Sequence, residues 1–333
     1  MIDSLFAASR PVLVATAVLG AGLALGSGDS AAQSWPTKPI HWVVPFTPGA
    51  FTDVAARLVT DKVAARLGQP VIVDNKPGAG GDLGARLVAK APPDGYTVLL
   101  ANHPGFTTAP ALSKDPGFDP VRDYEAVTGM MKFAMLLAVH PSVPANDLKE
   151  FIAYVKSRPG QLNYSTPGVA MPHNLAMVLL KQAAGIDIVH IAYKGGAPAT
   201  QDLVGGRVQA MFGSWVIVGP HMKSGKVKVV GVSTASRLAL APDIPTIAEQ
   251  GYPGFDVTSW NGLFAPAGTP AAAVAKLHEA TQAVLNTPEV REAVAKLGLE
   301  TFPIASSAAF SEQVRTEVAK WGKIIRDANI KPE

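Results

Sequence analysis

The residues from Val43 to Asp53, Val-Val-Pro-Phe-Thr-Pro-Gly-Ala-Phe-Thr-Asp, have the types and order needed to hold an anion. An apolar strand, Trp42-Val43-Val44, runs into a Pro/Gly turn that opens directly into a helix, marked by Val54, Leu58, Val59, Val63 and Leu67 at helical spacing. A helix N-terminus offers unpaired N–H groups and the positive end of a dipole. Set at the carboxyl end of a strand, it is a receptor for a carboxylate or phosphate. Pro48 and Gly49 stop the strand and let backbone approach a ligand closely. The same residues also fit an ordinary strand-to-helix turn, of which every α/β protein has several.

Two later segments repeat the arrangement. Ser165 to His173 reads strand, Pro/Gly turn, helix, and Tyr193-Lys-Gly-Gly-Ala-Pro198 does so again. Each alone is compatible with a plain loop; together they could converge on one anion. Lys194 carries a charge that could neutralise an acid, although a turn lysine is usually solvated. Other chemistries fit poorly. The Gly78–Gly84 cluster would need glycine at position 83 for a dinucleotide fingerprint, but Leu83 stands there, so a tight turn against another backbone is the plainer reading. No Gly-x-Ser-x-Gly elbow is present, and no acid–histidine pair is placed by sequence to serve Ser165. The histidines, at 41, 103, 140, 173, 190, 221 and 278, show no metal-ligand spacing, and the chain has no cysteine. No catalytic residue, metal or cofactor is expected.

These loops must be positioned by a regular scaffold. Strand-like runs fall at 40–45, 71–74, 97–101, 136–140, 162–165, 188–192, 210–213, 227–233 and 262–265. Helical patterns fall at 52–67, 82–90, 147–157, 173–184, 198–205, 216–225, 270–286, 288–297 and 307–328. The alternation argues for an α/β fold with parallel sheets. A length of 333 residues suits two domains. The stretches 127–144 and 251–270 look like crossings between them, giving one lobe at 35–130 plus 262–333 and another at 131–261. Two crossing strands make a hinge, with the ligand between lobes.

Composition narrows the class further. The chain is 48% hydrophobic and 17% charged, with a net charge of +3 and scattered basic residues, which argues against nucleic acid. Residues 11–28 carry no charge, and Ser30-Ala31-Ala32 offers small residues to a signal peptidase. Residues 1–32 therefore read as a signal peptide cleaved after Ala32, or alternatively after Ser34. An uncleaved anchor is the other reading. Removing Asp3, Arg10 and Asp29 moves the net charge from +3 to +4. The mature chain is expected to be exported and not embedded in a membrane.

A series of motifs appears in order: Val43-Val-Pro-Phe-x-Pro-Gly, Asp53-x-x-x-Arg57, Gly68-Gln-Pro-Val, Asn75-Lys-Pro-Gly-Ala-Gly-Gly and Pro93-Asp-Gly-Tyr-Thr. Tyr193-Lys-Gly-x-Ala-Pro, Asp202-Leu-x-x-Gly, Pro245-Thr-x-x-Glu249, Trp260-x-Gly-Leu-Phe-Ala-Pro and Gly268-Thr-Pro follow. Over nearly the whole mature chain the sequence resembles the substrate-binding proteins of tripartite tricarboxylate transporters, the Bug receptors. The resemblance implies a periplasmic, two-lobed binding protein of type II, two α/β domains joined by a two-strand hinge. It implies a monomer without catalytic activity that captures a small carboxylate and delivers it to membrane transporter subunits. A ligand-sensing subunit for a membrane signalling partner is the alternative, and a hydrolase on the same scaffold a more remote one.

Carried onto this chain, the family's binding loops comprise Phe46, Thr47, Pro48, Gly49, Ala50, Phe51 and Thr52 on one lobe. Thr166, Gly168, Val169, Ala170, Met171 and His173 follow on the other, with Tyr193 nearby. Many members read Pro-Gly-Gly-Ser where this chain has Pro48-Gly49-Ala50-Phe51, and Gly-Ser where it has Val169-Ala170. Amino-acid binders of the family tend to place an acid just after the position of Phe212; here Gly213 and Ser214 follow. The resemblance and its departures together imply a carboxylate with an apolar or aromatic body and no amino group, packed against Phe51 and Met171. Alternatively, Phe51 turns inward to its own lobe.

Overall fold

The computed structural model describes residues 35–103, 105–112, 115–168, 171–193, 195–327 and 330. The expected signal peptide, residues 1–32, lies outside the described residues, as do Val169, Ala170 and Lys194.

The chain begins with β1 (Ile40–Val44), α1 (Phe51–Leu67), β2 (Val71–Asn75), α2 (Asp82–Ala89), β3 (Thr97–His103), α3 (Gly105–Leu112) and β4 (Tyr124–Phe133). It continues through β5 (Met135–Val139), α4 (Leu148–Lys156), β6 (Asn163–Thr166), α5 (Pro172–Ala184) and β7 (Val189–Ala192). Next come α6 (Gly196–Val204), β8 (Ala210–Ser214), α7 (Trp215–Lys223) and β9 (Lys228–Val232). It returns through β10 (Ser259–Pro266), α8 (Ala271–Leu285), α9 (Pro288–Lys296), β11 (Glu300–Thr301) and α10 (Ser307–Asp327).

The strands form two sheets, one in the order β11-β4-β10-β3-β1-β2 and one in the order β7-β6-β8-β5-β9. The α/β class and the two-lobed plan expected from sequence are therefore observed. The expectation of parallel sheets holds only for one side of each, β3-β1-β2 and β7-β6-β8. Strands β2 and β3 run parallel to β1, and β7 and β8 parallel to β6, but β10 is antiparallel to β3 and β4, and β5 to β8 and β9. The cause is the chain's path. A strand that enters a sheet at the edge where the parallel strands end must run against them.

The crossings are short. β4 passes into β5 through the buried Ala134, and the return enters β10 after Val257. Ser233, fully buried, stitches the two together. Its hydroxyl accepts the Met135 N–H (3.0 Å) and donates to the Val257 carbonyl (2.7 Å). Its backbone bonds to both residues again, at 2.8 Å each. A hydroxyl is suited to this place because buried polar groups must be paired, and Ser233 satisfies a strand on either side.

Helix α1 shows why sequence periodicity is only approximate. Its buried face is Ala55, Ala56, Val59, Val63 and Leu67, whereas Val54, expected in the core, is exposed. The small Ala55 and Ala56 take the buried places in the first turns, while Val59, Val63 and Leu67 keep theirs. Each fully buried valine contributes roughly 1.5–3 kcal/mol relative to exposure. The Gly78–Gly84 cluster behaves as the plain reading predicted. A Cβ on Gly84 would lie 2.7 Å from Pro45 Cβ and 3.0 Å from Pro45 Cα, so α2 starts flush against the backbone that leads out of β1.

Candidate functional site

Both loops singled out by sequence sit at the carboxyl ends of parallel strands, one leaving β1 and one leaving β6. Their helices begin without a side-chain cap: Ala50 precedes α1, and Met171 precedes α5, whose first residue is Pro172. Helix α6 likewise starts after Gly195 with no cap, and α7 after Ser214. By contrast, α4 is capped by the Asp147 carboxylate, which accepts the Glu150 N–H. An uncapped first turn can present N–H donors to an anion, although in α5 Pro172 has no N–H and the Asn174 N–H donates back to the Met171 carbonyl at 3.0 Å.

The first loop is held in a frame that sequence reasoning did not recognise as such. Asp53, in the first turn of α1, reaches back and accepts the Gly49 N–H at 2.8 Å. Its other oxygen accepts from Arg57 Nε (3.0 Å) and Asn75 Nδ2 (2.9 Å). Asn75 also donates to the Phe46 carbonyl (3.0 Å) and accepts from Arg57 (3.0 Å). The residues 46–49 are thus pinned at both ends. Burial pushes the Asp53 carboxyl up, but hydrogen bonds from Arg57, Gly49 and Asn75 and the charge of Arg57 outweigh it. The group is held below the usual carboxylate range. The signal was in plain view, since Asp53-x-x-x-Arg57 and Asn75 are among the motifs; only their pairing was hidden.

Within this loop Thr47, Pro48 and Gly49 are exposed, Phe46, Ala50 and Phe51 are half-buried, and Thr52 is buried. The Phe51 ring meets the edge of Phe133 at 4.8 Å, which ties the loop to the end of the crossing strand β4. Behind Phe46 lies a void of about 10 Å³, the size of one water, with Asp82 and Asn102 in its wall.

The second loop has its own frame. Thr166 is fully buried, and its hydroxyl lies 2.6 Å from His190 Nε2 and donates to the Gly168 carbonyl at 3.1 Å. The Tyr193 N–H donates to the Thr166 carbonyl (2.9 Å), which brings the third loop alongside. The Tyr193 hydroxyl donates to Asp202 (2.6 Å), which Arg207 also holds. Burial and this carboxylate push the phenol up to about 12. Gly168, Met171 and His173 are half-buried. His173 Nδ1 is buried with no hydrogen-bond partner, and burial pushes the imidazole down to about 4, so it is neutral at pH 7. Among the described residues, no group of three His, Asp or Glu side chains is placed to hold a metal ion. None of their helices is long and apolar enough to cross a membrane.

The arrangement has known counterparts. A structure titled R. palustris Rpa4515 with adipate is 33% identical, with a TM-score of 0.79 over 90% of this chain and 100% of that one. The periplasmic binding protein BugD is 36% identical, with a TM-score of 0.77 over 90% and 100%. MatC from Rhodopseudomonas palustris, with bound malate, is 34% identical, with a TM-score of 0.75 over 87% and 100%. The model of the tripartite tricarboxylate transporter family receptor matches residues 55–330. With its two lobes, uncapped helix ends and this match over most of its length, the chain belongs to that receptor family.

Proposed function

We propose that this receptor captures a small carboxylate between lobes 35–130 plus 262–333 and 131–261. It then delivers the ligand to the membrane subunits of a tripartite transporter. The observation that carries the reading is the pair of uncapped helix N-termini, α1 and α5, each at the carboxyl end of a parallel strand, with the first loop pinned by Asp53, Arg57 and Asn75. Charge-assisted hydrogen bonds from such N–H groups are roughly twice as strong as neutral ones. The adipate and malate in two relatives support a carboxylate.

The ligand has an apolar or aromatic body and no amino group. Half-buried Phe51 and Met171 flank the two helix starts, and Gly213 and Ser214 put no carboxylate after Phe212 to receive an ammonium. The receptor is exported, acts as a monomer and transforms nothing. A thermal-shift screen of mono-, di- and aromatic carboxylates beside amino acids tests this. A ligand selective for the folded state raises the melting temperature with concentration. Adipate or an aromatic acid is expected to do so. Stabilisation by aspartate or citrate alone would sink the ligand class, and no response to any carboxylate would sink the reading.

A further inference from the structure

The Thr166 hydroxyl has three polar neighbours: His190 Nε2 at 2.6 Å, the Gly168 carbonyl at 3.1 Å and the Gly168 N–H at 3.3 Å. A hydroxyl owns one proton and two lone pairs. The Gly168 carbonyl can only accept and the Gly168 N–H can only donate. One assignment satisfies all three neighbours. The hydroxyl proton goes to the carbonyl, and the two lone pairs receive the Gly168 N–H and a proton on His190 Nε2. Were Nε2 the acceptor, the hydroxyl and carbonyl oxygens would face each other at 3.1 Å with no proton between, and the carbonyl would keep only the long contact from the Met171 N–H at 3.4 Å.

The ring is held for this role. Register pairs Tyr164 with His190 and Thr166 with Ala192, so the side chains of Tyr164, Thr166 and His190 share one face of the sheet. The Tyr164 ring stacks on His190 at 4.9 Å, and its hydroxyl donates to Asn174 of α5 (2.7 Å). The charged group facing the imidazole is Lys181 of α5, which donates to the Ile188 carbonyl and lies 3.7 Å from Asp187. Burial and that cation hold the imidazole below the usual histidine range, so it is neutral at pH 7.

We propose that His190 is the positioning residue of the second jaw. As the Nε2–H tautomer it donates to Thr166 and thereby aims the Thr166 hydroxyl at Gly168, fixing the chain where it leaves β6 on its way to α5. This rests on the carboxylate-binding reading above, and it assigns Thr166 to the frame of the second jaw. Nε2 bears a proton in both charge states, so the shape of the jaw is constant with pH.

The test has an arm that needs no ligand. Long-range ¹⁵N–¹H correlation of the full protein at pH 8 reads the tautomer of each imidazole, with Thr166→Val identifying His190 by the shift it causes. A proton on Nε2 is expected; a proton on Nδ1 overturns the inference, whatever the protein binds. The second arm titrates adipate into wild type, His190→Gln and His190→Phe. Glutamine keeps an N–H donor and is expected within about threefold of wild type. Phenylalanine keeps the stack without the donor and is expected to lose about tenfold, the worth of one buried hydrogen bond. Equal affinities for the two variants overturn the inference. If adipate fails to bind wild type, the ligand reading is at fault, and the tautomer still decides the role of His190.

Discussion

Replacing Asp53 by alanine removes the centre of the first loop's frame. Three donors lose their acceptor at once: the Gly49 N–H, Arg57 and Asn75. A hydrogen bond to a charged group is worth about 1.5–3 kcal/mol, which would give a large sum if all three donors stayed dry. They do not. Gly49 is exposed and the Arg57 side chain is 52% exposed, whereas Asp53 is 4% exposed, so water can reach two of the three donors in the variant. The expected loss is therefore about 3 kcal/mol, read from urea denaturation with the slope unchanged. Asp53→Asn keeps the shape but must aim an amide N–H at a donor, and is expected to cost about 2 kcal/mol. The pH dependence supplies a check. The folded-state pKa of Asp53 lies below its unfolded value, so this stabilisation is present above about pH 4 and is lost as pH falls through the folded value. The gap between wild type and Asp53→Asn should narrow in that window. Because Asp53 and Asn75 share a bond, Asp53→Ala and Asn75→Ala should be non-additive by at least about 0.5 kcal/mol. Additive losses, or an Asp53→Asn variant as stable as wild type at pH 7, would refute the frame.

Further outcomes follow from other contacts. Gly298→Ala is expected to cost about 2–3 kcal/mol in chemical denaturation, since its φ is +69° and an added Cβ would lie 2.5 Å from the Trp215 indole; Trp215→Ala in the same chain should restore part of this. His173, pushed down to about 4 by burial, stays neutral in the fold while the unfolded residue takes up a proton near pH 6.5. Stability should therefore fall by up to about 2 kcal/mol between pH 7 and pH 5, and His173→Gln should flatten that slope in pH-dependent thermal melts. Phe51→Ala should cost about 1–2 kcal/mol in thermal unfolding by removing a half-buried ring from Phe133, with Phe51→Leu recovering about half. The affinity for adipate should fall less than about threefold between 50 and 500 mM salt, because short-range amides hold the anion; a steeper dependence would point to free cations in the jaws.

What could be read in advance, and what could not, divides along the range of the interactions. The strand–turn–helix loops were legible because Pro and Gly stop a strand locally and the helix announces itself by its own period. Most helix bounds came within two residues, as at α5, expected over 173–184 and found at Pro172–Ala184. Helix α3 escaped notice because Gly105–Leu112 has no charge, no polar face and an internal Pro110. Strands β5 and β10 were expected at 136–140 and 262–265, but their antiparallel direction was not, because it follows from the path of the whole chain. The frames were missed for the same reason. Asp53 meets Asn75 across 22 residues, and Thr166 meets His190 across 24, through sheet pairing that no local pattern shows. The motifs named the residues without giving their partners.

The two frames share a logic that bears on specificity. An anion receptor built from free lysines or arginines would attract any acid, and its grip would follow net charge. Here the arginine beside the first loop is spent on Asp53 and Asn75, so the pair adds little net field at the loop. Behind the second loop, His173 and His190 are both held neutral by burial. On the carboxylate reading proposed above, the anion is met by backbone amides and helix ends, whose reach is about one hydrogen bond. Such a receptor discriminates by where the carboxylate's oxygens fall relative to the amides. On the same proposed reading, the body of the ligand is sorted by the apolar surface beside them, with Phe51 on one side and Met171 on the other. That division of labour explains why so much of the polar side-chain inventory near the loops is turned inward. Asp53, Asn75, Thr166 and Tyr193 hold the backbone still, and a still backbone is what makes an amide selective.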